Sequence, residues 1–354
     1  MRYLIRVIFF ISFAFLLSCA KFIGFGPGET PQNGSRLAPK VFAFYYPWYG
    51  TPQISGKWYH WNWDKGGTEP LKKDGRGLPI IHATNHPAMG LYDSNNPEVI
   101  AAHLALAKHM GIDAFISSWE GQNHFTDRAL EIMMDQIEKL KYPIYVCIYY
   151  ERVPRSDPEA AIEDFLYILK KYGKRPSYFK LNGKPVIFVF HRAMTQLSPW
   201  QWKNVIKKVK EIEDFVIIGA DATHRVQGLD GVHFYSPVGV ITHNINIQKL
   251  YASFVNVGRQ LGKITALPVM PGYDDSHIGR ESPKIISREN GALYKKLWKA
   301  AGKANPDWVL ITSFNEWHEG TEIEPSIEYG EKFVELTAKF TREFKKEKVY
   351  VSFK

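Results

Sequence analysis

Apolar positions along the chain keep two rhythms, and the two alternate. From Val41 onward, short apolar runs rich in β-branched and aromatic residues occupy 41–47, 113–118, 144–149, 185–190, 215–220, 231–235, 264–269 and 308–314. Between most of them lie longer stretches with apolar residues three and four apart, the helical period. "NPEVIAAHLALAKHMG" offers Asn96 as an N-cap, Pro97 in the first turn and Gly111 past the end. "DPEAAIEDFLYILKKYGK" and "SPWQWKNVIKKVKEI" follow the same grammar. "NIQKLYASFVNVGRQLG" fills the link between the sixth and seventh runs, and "GEKFVELTAKFTREFKKEK" supplies a final helix. Eight strands alternating with helices predict an α/β fold, a single (β/α)8 TIM barrel over 39–354. The connection from Asp221 to Asp230 is too short for a full helix. Residues 48–95 form a long insertion after strand one, expected over the carboxyl end of the barrel, where binding sites form.

Ahead of the barrel the pattern changes. "MRYLIRVIFFISFAFLLSCA" carries Arg2 and Arg6, an apolar run from Val7 to Leu17, then Ser18 and Cys19. The run is short for a membrane span and has the layout of a cleaved signal. Leu16-Leu17-Ser18-Cys19 resembles a bacterial lipobox. Residues 1–18 therefore read as a lipoprotein-type signal peptide, Cys19 as the lipidated residue, and the Gly- and Pro-rich 19–38 as a tether. The expected location is the bacterial cell envelope, with a lipid anchor in a membrane. Losing Arg2 and Arg6 takes the net charge from +9 to +7. The remaining basic residues are dispersed over helix-like segments, which argues for a solvated surface and against nucleic acid. Cys147, the other cysteine, sits in an apolar run and reads as a small buried hydrophobe with no disulfide framework around it.

Chemistry collects where barrel strands end. Strand one ends in Tyr45, Tyr46, Trp48 and Tyr49, strand two in Trp119 and Glu120, strand three in Tyr149, Tyr150 and Glu151. His191 and Arg192 follow strand four, Asp221 and His224 strand five, His233, Tyr235 and Ser236 strand six. Strand eight gives Asn315, Glu316 and Glu319. Aromatic rings with polar edges suit sugars as well as packing. Two neighbouring carboxyls, one protonated and one ionised, are the equipment of glycoside hydrolysis. Mutual repulsion and burial can push their pKa values apart. Positions three apart on a strand point to opposite faces, so the chain must turn at Glu316–Glu319 for both to reach one ligand. His82 and His86 lie four apart in a Pro-containing loop without a third ligand, so neither a metal nor another cofactor is expected.

"TSFNEWHEGTEIEPS" resembles the signature of glycoside hydrolase family 99, the endo-α-1,2-mannosidases and mannanases. "FYYPWYG", "YHWN", "NPEVIAAHLALAKHMGIDAFISSW", "DGVHFYS" and "MPGYDDS" followed by Arg280 match in order, covering most of the chain from Val41. The resemblance implies a retaining, endo-acting hydrolase of α-mannan or mannose-rich glycans. In this family one Glu acts as base on the substrate's own 2-hydroxyl, giving a 1,2-anhydro sugar. By motif, Glu316 would be that base and Glu319 the acid. Glu151 would hold the reacting sugar, Tyr235 would contact it near its ring, and Tyr46 and His60 would line the cleft. After Trp119 the family usually has another aromatic, which contacts the sugar one subsite out; here stands Glu120. Either Glu120 contacts that sugar through hydrogen bonds, or a one-residue shift gives the role to Trp119. Two other readings stay open: a related barrel glycosidase acting on a different glycan, and a lipoprotein that binds glycan without cutting it.

Overall fold

The computed structural model describes residues 37–62, 70, 72–220 and 226–352, with side chains to 346. The signal segment, Cys19, the tether up to residue 36, Asp221 and His224 lie outside the described residues. Eight parallel strands form the core: β1 (Lys40–Tyr45), β2 (Ala114–Trp119), β3 (Tyr145–Tyr150), β4 (Lys184–Val189), β5 (Val216–Gly219), β6 (Gly231–His233), β7 (Ile264–Val269) and β8 (Trp308–Ile311). Each pairs with its neighbours in sequence. β8 closes the ring on β1, with Ala43 opposite Ile311. The structure is the expected (β/α)8 barrel.

Around it stand α1 (Pro97–Met110), α2 (Phe125–Leu140), α3 (Pro158–Lys171), α4 (Pro199–Lys210), α5 (Ile247–Gln260), α6 (Ala292–Ala304) and α7 (Lys332–Ser352). The caps anticipated for α1 are in place: the Asn96 side chain accepts from the Glu98 N–H, and Gly111 closes the end at φ 70°. Ser198 and Gln201 form a reciprocal capping box at α4. Between β5 and β6, the described residues 226–230 hold no helix.

Alternation along the strands fills the barrel with rings. Phe42, Phe188 and Trp308 pack together with centroids 5.0–6.0 Å apart. One layer up, Phe44, Tyr149 and His233 meet beneath the mouth. The insertion folds across that mouth and is stitched to the chain after β8. Asn85 donates to Glu322 at 2.8 Å, the His86 N–H to Glu328 at 2.9 Å, and the Ala88 N–H to the Pro325 carbonyl at 2.9 Å. A second apolar cluster of Tyr49, Trp61, Ile81, Ala83, Tyr92 and Trp317 seals this seam.

Candidate active site

The sequence after β8 makes its own turn. The Ser313 hydroxyl accepts from the Glu316 N–H at 2.7 Å, and the Ser313 N–H donates to the Thr321 carbonyl at 2.9 Å. The tip of this loop is one 3₁₀ turn, Trp317–Glu319, capped by Glu316, whose Oε1 accepts from the His318 N–H at 3.2 Å. The turn brings the two carboxyls near each other: the Glu319 charge acts on Glu316, and both act on the Tyr46 hydroxyl. The turn closes at Gly320 with φ 57°, where a Cβ would come within 3.1 Å of the Asp274 backbone.

A buried network holds this loop from behind. Asn315 clamps the Tyr46 backbone, accepting from its N–H at 2.7 Å and donating to its carbonyl at 3.1 Å. Asn315 and the Trp317 indole both donate to the Tyr92 hydroxyl, which donates to Glu324 at 2.8 Å. His103 completes the chain, 3.0 Å from Glu324 through Nε2 and 3.0 Å from the Tyr45 hydroxyl through Nδ1.

Electrostatics separate the two carboxyls. Burial, with the neighbouring Glu319 charge second, pushes Glu316 well above the usual carboxylate range. Its Oε2 is buried with no hydrogen-bond partner among the described residues. Such an atom is costly unless a ligand supplies a donor. His318 donates Nε2–H to the His60 carbonyl at 2.7 Å, so Nδ1 faces Glu316 Oε1 as an acceptor at 3.5 Å. Burial holds His318 at about 3, and its ring is neutral. Glu319 is partly exposed. Burial pushes it up to about 6, while the Arg280 charge and a 3.0 Å hydrogen bond donated by the Tyr235 hydroxyl hold it down.

The third carboxyl, Glu151, follows β3 and is buried. Ser118 donates to it at 2.8 Å and itself accepts from the Trp48 indole at 3.0 Å. Burial, then the charge of Glu120, pushes Glu151 up to about 8. Tyr46 lies among all three acids, and the charges of Glu151, Glu319 and Glu316 each act on its hydroxyl after burial. The His60 ring stands 5.2 Å from Trp48 and 5.8 Å from His318. Among the described residues, no group of three or more His, Cys, Asp or Glu is placed to hold a metal ion. His86, considered as a ligand, instead contacts Glu328 and the Pro79 carbonyl. A shallow depression at the other end of the barrel is lined by residues already joined as Lys174–Glu213 and Lys184–Asp214 ion pairs.

Residues 36–337 match the model of glycosyl hydrolase family 99. The chain belongs to this family. It is 26% identical over 354 residues to the glycoprotein endo-alpha-1,2-mannosidase of Mus musculus, covering 87% of this chain and 76% of that protein. Its identity to the Xenopus laevis protein of the same name is 27% over 351 residues, covering 86% and 77%. The solved family 99 endo-alpha-mannosidase of Bacteroides thetaiotaomicron has 26% identity and a TM-score of 0.75, over 87% of this chain and 98% of that one.

In this family 99 glycoside hydrolase the structure gathers Tyr46, His60, Glu151, Tyr235, Glu316 and Glu319 around one mouth. Trp119 is a correction. Ser118 takes the inward place on β2, so Trp119 turns outward, buried, with its indole donating to Asp127 at 2.7 Å and its ring stacked on Tyr150. It offers no face to a sugar. Glu120 stays at the rim, but Arg192 and Arg152 take its two oxygens, at 2.9 and 3.1 Å. Ser118, Arg280 and Asn315 act on the acids or on Tyr46 without having been assigned a role from sequence. Asn315 and Ser118 stood inside the matching motifs and Arg280 just after one, but nothing in the sequence said which groups they would bond.

Proposed function

We propose that the protein is a retaining, endo-acting hydrolase of internal α-1,2-mannosidic bonds in mannan or mannose-rich N-glycan chains. The observation that carries this reading is the neighbouring pair Glu316 and Glu319, each within reach of the other's charge, with Tyr46 and Glu151 beside them. The names of the similar proteins support the choice of bond.

In the first step Glu316 removes the proton of the sugar's 2-hydroxyl. The freed oxygen bonds to the anomeric carbon as the glycosidic bond breaks, and Glu319 protonates the departing oxygen. A 1,2-anhydro sugar results. In the second step Glu319 takes a proton from water, the water oxygen bonds to the anomeric carbon, the epoxide opens, and its oxygen recovers the proton from Glu316. In the empty cleft the higher affinity for the proton belongs to Glu316. Substrate binding reverses this: a 2-hydroxyl donating to the unpartnered Oε2 favours the ionised form of Glu316, and exclusion of water raises Glu319.

The test is to incubate the protein with defined linear α-1,2-mannosyl oligosaccharides, size the products and read their anomeric configuration. Internal cleavage with retention supports the reading, and release of single terminal sugars or inversion overturns it. Glu319→Gln should bind these substrates while cutting them about 10²–10⁴-fold more slowly. A cell-envelope location through a lipid on Cys19 belongs to the same proposal and rests on the amino-terminal sequence pattern.

A further inference from the structure

The loops after β2, β3 and β4 carry a charged cluster that the two proposed chemical steps do not use. Arg192 Nη2 donates to Glu120 Oε1 at 2.9 Å and lies 3.4 Å from Glu151 Oε2, while its Nε donates to the Glu151 carbonyl at 3.0 Å. Arg152 reaches the same acid, with Nε 3.1 Å from Glu120 Oε2 and Nη2 3.4 Å from the Glu120 carbonyl. Both arginine side chains remain about half exposed, at 47% for Arg192 and 54% for Arg152. Their Nη1 groups donate to nothing among the described residues.

Two arginines thus meet one rim carboxylate. Glu151 is buried behind them and pushed up to about 8, and Asp164, whose charge is also felt by Arg152, is raised by burial. Among the described residues, two half-exposed arginine side chains stand directly outside the residue that faces the reacting sugar. Trp119 offers no ring at this point, because it is turned away from the barrel interior and buried under the helices. The ring that does lie here, Phe190, is half-buried with the Arg192 guanidinium 6.0 Å over it. An anionic group would find two planar forks, whose donors match carboxylate, sulfate or phosphate oxygens. Exposed ion pairs are weak, so such a ligand can compete with Glu120 for both arginines.

We propose that these loops form an outer subsite for a sugar bearing an anionic substituent, with Arg152 and Arg192 as its ligands. Glu120 holds the two guanidinium groups in place while the subsite is empty. The inference rests on the endo-hydrolase reading and narrows its substrate class.

The experiment compares α-1,2-linked oligosaccharides identical except for the sugar one subsite beyond the reacting one: unmodified, sulfated, phosphorylated, or replaced by its uronic acid. The expected result is a kcat/KM at least about tenfold higher for one anionic form at low salt. The advantage should shrink as salt is raised, and the anionic-to-neutral ratio should fall to about one in Arg152→Gln. The form that gains identifies the substituent. Equal or better cleavage of the neutral chain overturns the subsite and leaves the hydrolase reading intact. Should neither chain be cut, the hydrolase reading fails on its own. Calorimetric affinities of the same oligosaccharides for Glu319→Gln then decide the subsite, and an equal Kd for neutral and anionic chains overturns it.

Discussion

The Tyr235 hydroxyl donates to Glu319 Oε2 at 3.0 Å, joining the end of β6 to the turn after β8 across 84 positions of sequence. The bond favours the ionised carboxylate. Tyr235→Phe should therefore raise Glu319 above about 6 and move the acidic limb of the kcat/KM profile to higher pH. Losing a hydrogen bond to a charged group should lower kcat/KM roughly ten- to a hundredfold. An unmoved limb would show that Tyr235 packs against Glu319 without tuning it.

The wild-type profile should be bell-shaped. Below about 6 both members of the pair hold protons; above it Glu319 ionises and one proton remains between them. That singly protonated pair is the working form, so kcat/KM rises through about 6. It falls again as Glu316, raised by burial and by Glu319, gives up its proton at higher pH. The two apparent values belong to the pair jointly. Activity still climbing below about pH 5 would contradict the arrangement.

Glu316 should cost the fold stability. Its folded pKa lies above the ordinary value of 4.5. At low pH the carboxyl is protonated in both the folded and unfolded states and no penalty arises. As pH rises past that value the unfolded chain ionises freely while the buried group cannot, so stability is lost progressively up to the folded pKa. Glu316→Gln carries no such penalty. Its gain in Tm over wild type should grow between about pH 5 and pH 8. Parallel Tm curves for the two proteins would refute the burial argument. His318, held at about 3, acts in the opposite sense below its ordinary value but is common to both proteins and cancels in the difference.

Glu324 should matter for stability although it touches no substrate. Glu324→Ala leaves the Tyr92 hydroxyl and His103 Nε2 buried without their acceptor. Leaving a buried donor unsatisfied costs about 1–3 kcal/mol for each group, readable as a lower urea midpoint. Turnover should fall as well, because the same network positions Asn315 and so Tyr46. A loss below about 1 kcal/mol would mean water replaces the carboxylate.

Cys19→Ala should move the protein from the membrane fraction to the soluble fraction of its host cell. Unchanged fractionation would remove the lipid anchor.

Much of this enzyme follows from short-range pattern. Strand and helix periods are local properties of the chain, so the barrel, the caps of α1 and the position of the acids at the end of β8 were legible from neighbouring residues alone. Glu316 and Glu319 could be named from their motif, but whether they point together depends on the Ser313–Thr321 bonds that fold the loop into a 3₁₀ turn. Trp119 and Ser118 are adjacent, and only closure of the barrel decided which faces the mouth. Glu120 meets Arg192 from a loop 72 positions away. The proton affinities likewise came from tertiary burial, since a carboxyl's pKa depends on the water it loses and the charges gathered around it. Sequence spacing sets which groups are available; packing sets their direction, their partners and their charge.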